Sequence, residues 1–261
     1  MGRRIKLHNF NNLSKNLNIS FYDINYVTNE DKFSCVKYMH SMYNTANLVK
    51  TLKMVTKKIN ASILNISKQD YEPVGSSVNF LITEEPVKEE LVDHTCNLGH
   101  LDKSHIAIHT YPEYSKKTNI STIRLDFSIS TCGLISPLKA INYLLEKFSK
   151  NNCADIIQID YFVRGFTRTS KNKKIFIDHK PAPIYKFINK KFLSNYKIFN
   201  KNYDEDNLWM CKLVIEKFNP SEYFFNNREK KLSNDKKISN NIRNEIIKTI
   251  TNEIKEIAQI S

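Results

Sequence analysis

The chain has 261 residues, of which 41% are hydrophobic and 26% are charged, and this length and composition suit one sizeable globular domain. No apolar run reaches the roughly 20 residues needed to cross a bilayer, so we expect a soluble protein that does not bind a membrane. The 5 glycines lie too far apart to form G-x-G-x-x-G or G-x-x-x-x-G-K-[ST]. Rossmann-type dinucleotide binding and P-loop chemistry therefore lack sequence support.

The net charge of +13 is typical of proteins that bind nucleic acids. However, only 7 of the 40 basic residues are arginine, the residue that base reading and bidentate phosphate binding favour. The lysines are scattered among asparagine and isoleucine along the whole chain, as in a compositional bias. We therefore predict no nucleic-acid partner, and a basic RNA-binding module remains as an alternative function of a different class.

The cysteines are odd in number and dispersed, and none forms a C-x-x-C motif. The first ten residues do not have the pattern of a signal peptide, so free thiols in a reducing cytoplasm are the simplest interpretation. The five cysteines are Cys35, Cys96, Cys132, Cys153 and Cys211.

The first half of the chain predicts helix followed by strands. Apolar residues recur at three- and four-residue steps from Asp31 to Ile59, which predicts one long amphipathic helix, broken at most once. Ala61–Ile66 and the alternation across Val78–Ile82 predict two strands joined by a turn. The irregular acidic segment from Glu84 to Gly99 predicts a loop.

The middle of the chain has the sharpest pattern. Strands are predicted around Ile106–Ile108 and across Ile123–Ser130, where isoleucine, leucine and phenylalanine alternate with polar residues. Ser136 and Pro137 are typical of a helix start, so we predict a helix over Leu138–Phe148 with Ser136 as its N-cap. A further strand over Ile157–Val163 follows.

The last segment, Ile238–Ile257, carries isoleucine at helical spacing and predicts an amphipathic helix that packs on the core. Together these elements predict an α+β fold: a single domain over residues 1–261, built as a two-layer α/β sandwich. We expect a mainly antiparallel sheet with helices on one face, and extra helical segments toward both termini.

Reactive side chains are concentrated between Asp93 and Pro137, where a zinc site is one interpretation. The side chains that could supply nitrogen and sulfur ligands show neither H-E-x-x-H nor C-x-x-C spacing, so we predict no metal site. These candidate ligands are His94, Cys96, His100, His105 and His109.

The same segment reads Leu-Asp-Lys-Ser-His-Ile-Ala-Ile-His-Thr-Tyr-Pro-Glu over residues 101–113, followed by Ser-Thr-Cys-Gly over residues 130–133. It resembles the bacterial S-adenosylmethionine decarboxylase proenzymes, which are pyruvoyl-dependent enzymes of spermidine synthesis. The similarity extends to Gln69–Pro73, Ile135–Ala140 and Val163–Arg168, and the length resembles the longer bacterial class.

The resemblance implies that the chain cleaves itself between Lys103 and Ser104, giving a β chain of residues 1–103 and an α chain of residues 104–261. In this reaction the Ser104 hydroxyl attacks the preceding carbonyl, and a base then removes the Cα proton of Ser104. The resemblance assigns the role of base to His109, which shares a strand face with His105 in the predicted strand.

In the mature enzyme, the resemblance implies that Ser104 becomes a pyruvoyl cofactor, which forms a Schiff base with the substrate amine. It implies that Cys132 is the proton donor in catalysis, and it leaves magnesium as a candidate activator. Tyr111 and Glu113 are candidates for binding the adenosine and sulfonium parts of the substrate. Ser77 is a candidate for assisting cleavage through a hydrogen bond near the Lys103 carbonyl.

The implied substrate is S-adenosylmethionine, the implied product is S-adenosylmethioninamine, and the implied location is the cytoplasm. The resemblance also implies self-association of αβ units, as a dimer or as a heterooctamer of four α and four β chains, with sheets packed together. A pyruvoyl-dependent decarboxylase of another amino acid, such as arginine, remains as an alternative because the self-cleavage chemistry is shared.

Overall fold

A computed structural model describes residues 14–83, 104–132, 135–149, 154–168, 174–176, 183–216, 223–225 and 240–259. The predicted loop from Glu84 to Gly99 lies outside these ranges, as does Lys103 on the amino-terminal side of the expected cleavage point. No helix among the described residues is long and apolar enough to span a membrane.

An antiparallel sheet of eight strands dominates the described part of the chain, in the order β2-β3-β4-β5-β1-β6-β10-β9, and β7 and β8 form a separate hairpin. The α+β class with a mainly antiparallel sheet is confirmed. The strands are β1 Ser14–Tyr26, β2 Ser62–Asp70, β3 Ser76–Thr83, β4 Ser104–Ser115, β5 Ile120–Cys132, β6 Ile156–Arg164, β7 Phe166–Arg168, β8 Lys174–Phe176, β9 Tyr196–Tyr203 and β10 Leu208–Ile215.

The helices lie mostly where the sequence predicts them. The long helical segment is broken once, at Asn44, whose side chain caps the second helix by accepting a hydrogen bond from the Asn47 N–H at 2.9 Å. The helices are α1 Lys32–Tyr43, α2 Thr45–Lys58, α3 Ile141–Ser149, α4 Lys190–Leu193 and α5 Asn240–Ala258.

The helix predicted over Leu138–Phe148 starts differently from the prediction. Pro137–Ala140 form a 3-10 turn before α3, and Ser136 makes no capping hydrogen bond through its side chain. In this tight turn the Ser136 backbone carbonyl accepts the hydrogen bond from the Lys139 N–H, so the hydroxyl is not needed there.

The two faces of the sheet have different partners. Side chains such as Leu17 and Ile19 of β1 point toward α1, α2 and α3 and form the main core. On the opposite face, Ile24 of β1 packs with Ile250 and Ile254 of α5 in a second cluster. Among the described residues, α5 packs near the Tyr26 end of this second face. Most side chains on the remainder of the face are polar, among them Ser77, His109 and Asp126, and we call this remainder the site face.

Candidate active site

Ser104 and Cys132 meet at one end of the sheet. Ser104 is the first residue of β4 and is 3% exposed, whereas Cys132 is the last residue of β5 and is half-buried. The Cys132 backbone N–H donates a hydrogen bond of 3.0 Å to the Ser104 hydroxyl oxygen. The antiparallel register, which pairs His105 with Ser130, therefore holds the Ser104 hydroxyl beside a residue that carries a thiol.

Ser77 and His109 form a second pair on the site face. They lie directly opposite each other on β3 and β4, and the Ser77 hydroxyl oxygen is 2.9 Å from His109 Nδ1. Ser77 is buried and His109 is half-buried. This hydrogen bond restricts the orientation of the imidazole ring.

The two pairs do not meet within one chain. Five residues separate Ser104 from His109 on the extended strand β4, which corresponds to roughly 17 Å at the usual rise per residue. Ser77 lies opposite His109, whereas Ser104 lies opposite Ile82, so Ser77 is displaced from the Lys103–Ser104 junction by the same length of strand. One chain thus carries two half-sites, Ser104 with Cys132 and Ser77 with His109.

Tyr111 and Arg124 extend the second half-site. The Tyr111 side chain is exposed, and its ring centroid lies 6.4 Å from that of His109. The Arg124 guanidinium lies 4.2 Å from the Tyr111 ring centroid, so a cation already covers part of this ring. Arg124 Nε also lies 3.1 Å from Asp126 Oδ2 on the same strand. Ring, guanidinium and carboxylate therefore form one connected group beside His109.

Glu113 lies at the end of this half-site that α5 approaches. It is exposed, two residues beyond Tyr111 on the same face of β4. Burial raises the pKa of Glu253 on α5, and the nearby carboxylates of Glu256 and Glu113 raise it further. Helix α5 thus brings the Glu253 carboxylate close to Glu113.

The structure does not assemble a metal site from the described residues, which contain no group of three or more His, Cys, Asp or Glu side chains suited to one ion. His105 and His109 are four residues apart on β4, or roughly 14 Å along the strand, which is too far for both to bind one ion. His94, Cys96 and His100 lie outside the described residues.

Known proteins are similar to this chain over most of its length. A family model described as "S-adenosylmethionine decarboxylase" matches residues 34–157. The chain is 42% identical to the S-adenosylmethionine decarboxylase proenzyme of Alkaliphilus oremlandii, over 94% of this chain and 95% of that protein. The chain belongs to the S-adenosylmethionine decarboxylase family.

Other relatives of this decarboxylase family member have the same name. The proenzyme of Clostridium botulinum strain Eklund 17B is 42% identical over 94% of both chains, and that of Clostridium perfringens strain SM101 is 41% identical over 97% of this chain and 95% of that one. A crystal structure of the adenosylmethionine decarboxylase from Aquifex aeolicus matches with a TM-score of 0.33 and 13% identity, over 65% of this chain and 98% of that one.

Arg124 and Asp126 are the site-face residues that sequence reasoning did not select in this family member. The signal for them is the alternation across Ile123–Ser130, which puts both side chains on the polar face of a half-buried strand. Their neighbours depend on the pairing register, which the alternation alone does not specify.

Proposed function

We propose that the chain is a proenzyme that cleaves itself between Lys103 and Ser104 and then, through a pyruvoyl group at residue 104, decarboxylates S-adenosylmethionine to S-adenosylmethioninamine, the aminopropyl donor for spermidine synthesis. The observation that supports this most directly is the 3.0 Å hydrogen bond from the Cys132 N–H to the Ser104 hydroxyl. It joins the two residues to which the family resemblance assigns the roles of nucleophile and proton donor. The names of the relatives support the same activity.

Self-cleavage uses atoms of Ser104 and Lys103. The Ser104 oxygen bonds to the Lys103 carbonyl carbon, and the peptide C–N bond breaks, which leaves an ester and a free amine. A base then takes the Cα proton of residue 104, the Cβ–O bond breaks, and the new Lys103 carboxylate leaves. The resulting dehydroalanine takes up water and releases ammonia, which leaves a pyruvoyl group at the start of the 104–261 chain. The Cys132 N–H can stabilise negative charge on the serine oxygen in the first step and on the leaving carboxylate in the second.

The described residues fit this group because residue 104 is buried at the start of a strand, and the Cys132 N–H points at its side chain. A pyruvoyl carbonyl withdraws electrons from the substrate α-carbon as carbon dioxide leaves. In our proposal the Cys132 thiol returns a proton to that carbon, since a thiol is a workable acid near neutral pH. Tyr111 and Glu113 are our candidates for contacts with the adenosine part of the substrate.

The roughly 17 Å between the half-sites supports a site shared by two copies of the chain. In our proposal two copies associate so that Ser77 and His109 of one copy approach the end of the sheet at which Ser104 and Cys132 of the other copy lie. An assembly of αβ units, as a dimer or as a larger heterooctamer, follows from this arrangement. Cys35, Cys132 and Cys211, the cysteines in the part of the chain that the structure describes, form no disulfide, which fits the cytoplasmic location that we propose.

Two measurements test this function. The intact mass of purified, folded protein should show two chains in place of one 30.6 kDa chain, whereas Ser104→Ala should remain uncut. A folded wild-type chain of full mass would refute self-cleavage, and a cut Ser104→Ala variant would assign the break to a contaminating protease. Labelled carbon dioxide should be released from S-adenosylmethionine; release from arginine instead would identify the alternative decarboxylase.

A further inference from the structure

Asp126 lies beside His109 in a row of side chains that crosses three strands. Ser77 on β3, His109 on β4 and Asp126 on β5 are directly opposed in register, and all three are on the site face. Directly opposed residues in antiparallel strands have Cβ atoms roughly 5 Å apart. We propose that Asp126 is a positioning residue that supports His109 as the base of self-cleavage, an inference that rests on the proposed function.

The hydroxyl of Ser77 restricts His109 on one side of this row. With a proton on Nδ1, the imidazole donates to the Ser77 oxygen at 2.9 Å, and Nε2 keeps the lone pair that a base requires. When His109 takes up a proton, the ring becomes a cation. A carboxylate on the adjacent strand favours that cation, whereas a hydroxyl does so only weakly.

One oxygen of the Asp126 carboxylate forms an ion pair, and the other has no hydrogen-bond partner among the described residues. Oδ2 lies 3.1 Å from Arg124 Nε, and Arg124 is itself held over the Tyr111 ring. Oδ1 is buried and has no hydrogen-bond partner among the described residues. A buried acceptor without a hydrogen-bond partner lowers the stability of the fold. We infer that Asp126 is retained because its carboxylate lies opposite His109, which becomes a cation when it takes up a proton.

The charged side chains around His109 explain why we propose a supporting role for the Asp126 carboxylate. The titratable and charged side chains that face His109 are Tyr111 on its own strand and Arg124 and Asp126 on β5, while β3 contributes the uncharged Ser77. His105 and Glu113 are four residues away on β4. Without Asp126, the Arg124 guanidinium beside Tyr111 would lack its ion-pair partner, and an unbalanced cation on this face opposes uptake of a proton by the imidazole.

The test is self-cleavage by the full chain made in a cell-free system. Translation is stopped, samples are moved to buffers across the range in which imidazoles titrate, about pH 5 to 8, and the loss of the 30.6 kDa chain is followed with time. For Asp126→Asn, we expect the maximal cleavage rate to fall roughly threefold to tenfold, since a weaker base removes the Cα proton more slowly. We expect the pH of half-maximal cleavage to fall, because the imidazole loses the carboxylate opposite it in register.

Two further variants separate a charge effect from a structural one. Adding Arg124→Gln to Asp126→Asn removes the unbalanced guanidinium and should return the half-maximal pH toward the wild-type value. Glu146→Gln, which neutralises an exposed carboxylate of α3 on the opposite side of the sheet, should cleave like the wild type.

A wild-type rate and pH profile in Asp126→Asn would overturn the inference and leave the proposed function intact. The inference would also be overturned if Asp126→Asn cleaves more slowly with an unshifted pH profile and the added Arg124→Gln does not restore the rate. That result would indicate only a role of Asp126 in folding. Absence of cleavage in the folded wild-type chain would overturn the proposed function and this inference together.

Discussion

The Cys132 backbone N–H donates a hydrogen bond of 3.0 Å to the Ser104 hydroxyl, across 28 positions of sequence. This contact joins Cys132 to cleavage through its backbone, whereas its proposed role in turnover uses the thiol. The two roles can therefore be separated by one substitution that removes the thiol and keeps the N–H.

Cys132→Ala should cleave itself and yet decarboxylate slowly. The N–H to Ser104 remains, so intact mass should still show two chains, but the loss of the proton donor should lower the rate of labelled carbon dioxide release by about 100-fold. Cys35→Ala, which removes a buried thiol from α1, should keep normal turnover. Unchanged decarboxylation in Cys132→Ala would remove the thiol from the mechanism.

An uncut Ser104→Ala chain should restore cleavage to an uncut His109→Gln chain. In a site shared by two chains, Ser104→Ala still provides His109, and His109→Gln still provides Ser104. When the two are co-expressed with tags of different mass, we expect the His109→Gln chain to be cut and the Ser104→Ala chain to stay whole.

The matched control is His109→Gln co-expressed with the double variant Ser104→Ala, His109→Gln, in which no chain supplies the imidazole. Both chains should then remain uncut. Cleavage of His109→Gln alone would show that His109 is not the base. If the co-expressed pair associates and stays uncut, the shared site is wrong.

The sequence predicts best those parts of the site that lie on strands with regular alternation of apolar and polar residues. β4 and β5 follow from apolar residues that alternate with polar ones, because one face of each strand is buried and the other is not. The meeting of Ser104 with Cys132, and of His109 with Asp126, depends on the register between these strands. A register shift of two residues would put Arg124 or Ser128 opposite His109 with the same alternation, so the sequence pattern alone does not fix the site.

The sequence pattern does not predict β1 and β9, for a different physical reason in each case. β9 is an edge strand in which only Tyr196 is buried, so it has no periodic apolar face to detect. β1 lies in the interior of the sheet, and its buried Leu17, Ile19 and Phe21 alternate, but asparagine and serine between them are more typical of turns. Tertiary packing on both neighbours overrides that local preference.

Ile250→Ala should destabilise the fold through α5. Ile250 is fully buried among the residues that join α5 to the sheet, and removing such a side chain lowers the free energy of unfolding by about 2 to 5 kcal/mol. Urea unfolding of the uncut Ser104→Ala chain measures this on a single polypeptide. The control is Ile242→Ala on the same helix, where the side chain is 45% exposed and the expected change is below about 0.5 kcal/mol. Equal effects of the two substitutions would contradict the docking of α5.

Asp23 is a carboxylate on the helix-facing side of β1, beside a cavity of about 350 Å³ that is also lined by Tyr38 and Tyr43. Burial raises the pKa of Asp23 to about 6, although a hydrogen bond from the Asn25 amide offsets part of this effect. Between the usual value of 3.8 and about 6, the folded chain holds a proton that the unfolded chain has lost. The free energy of unfolding therefore falls as the pH rises through this window, and the full penalty is present above it.

Asp23→Asn should therefore stabilise the uncut Ser104→Ala chain by about 1 to 3 kcal/mol at pH 8 and have little effect at pH 4, as measured by urea unfolding at both pH values. Asp70→Asn is the control of opposite sign. Burial alone would raise the pKa of Asp70, but hydrogen bonds from Ser76 and Thr45 outweigh it and lower the pKa. The stability that Asp70 contributes is present above 3.8 and is lost in acid, so its replacement should destabilise the chain at pH 8. A loss of stability in Asp23→Asn at pH 8 would mean that the Asp23 carboxylate has a stabilising partner in the folded chain.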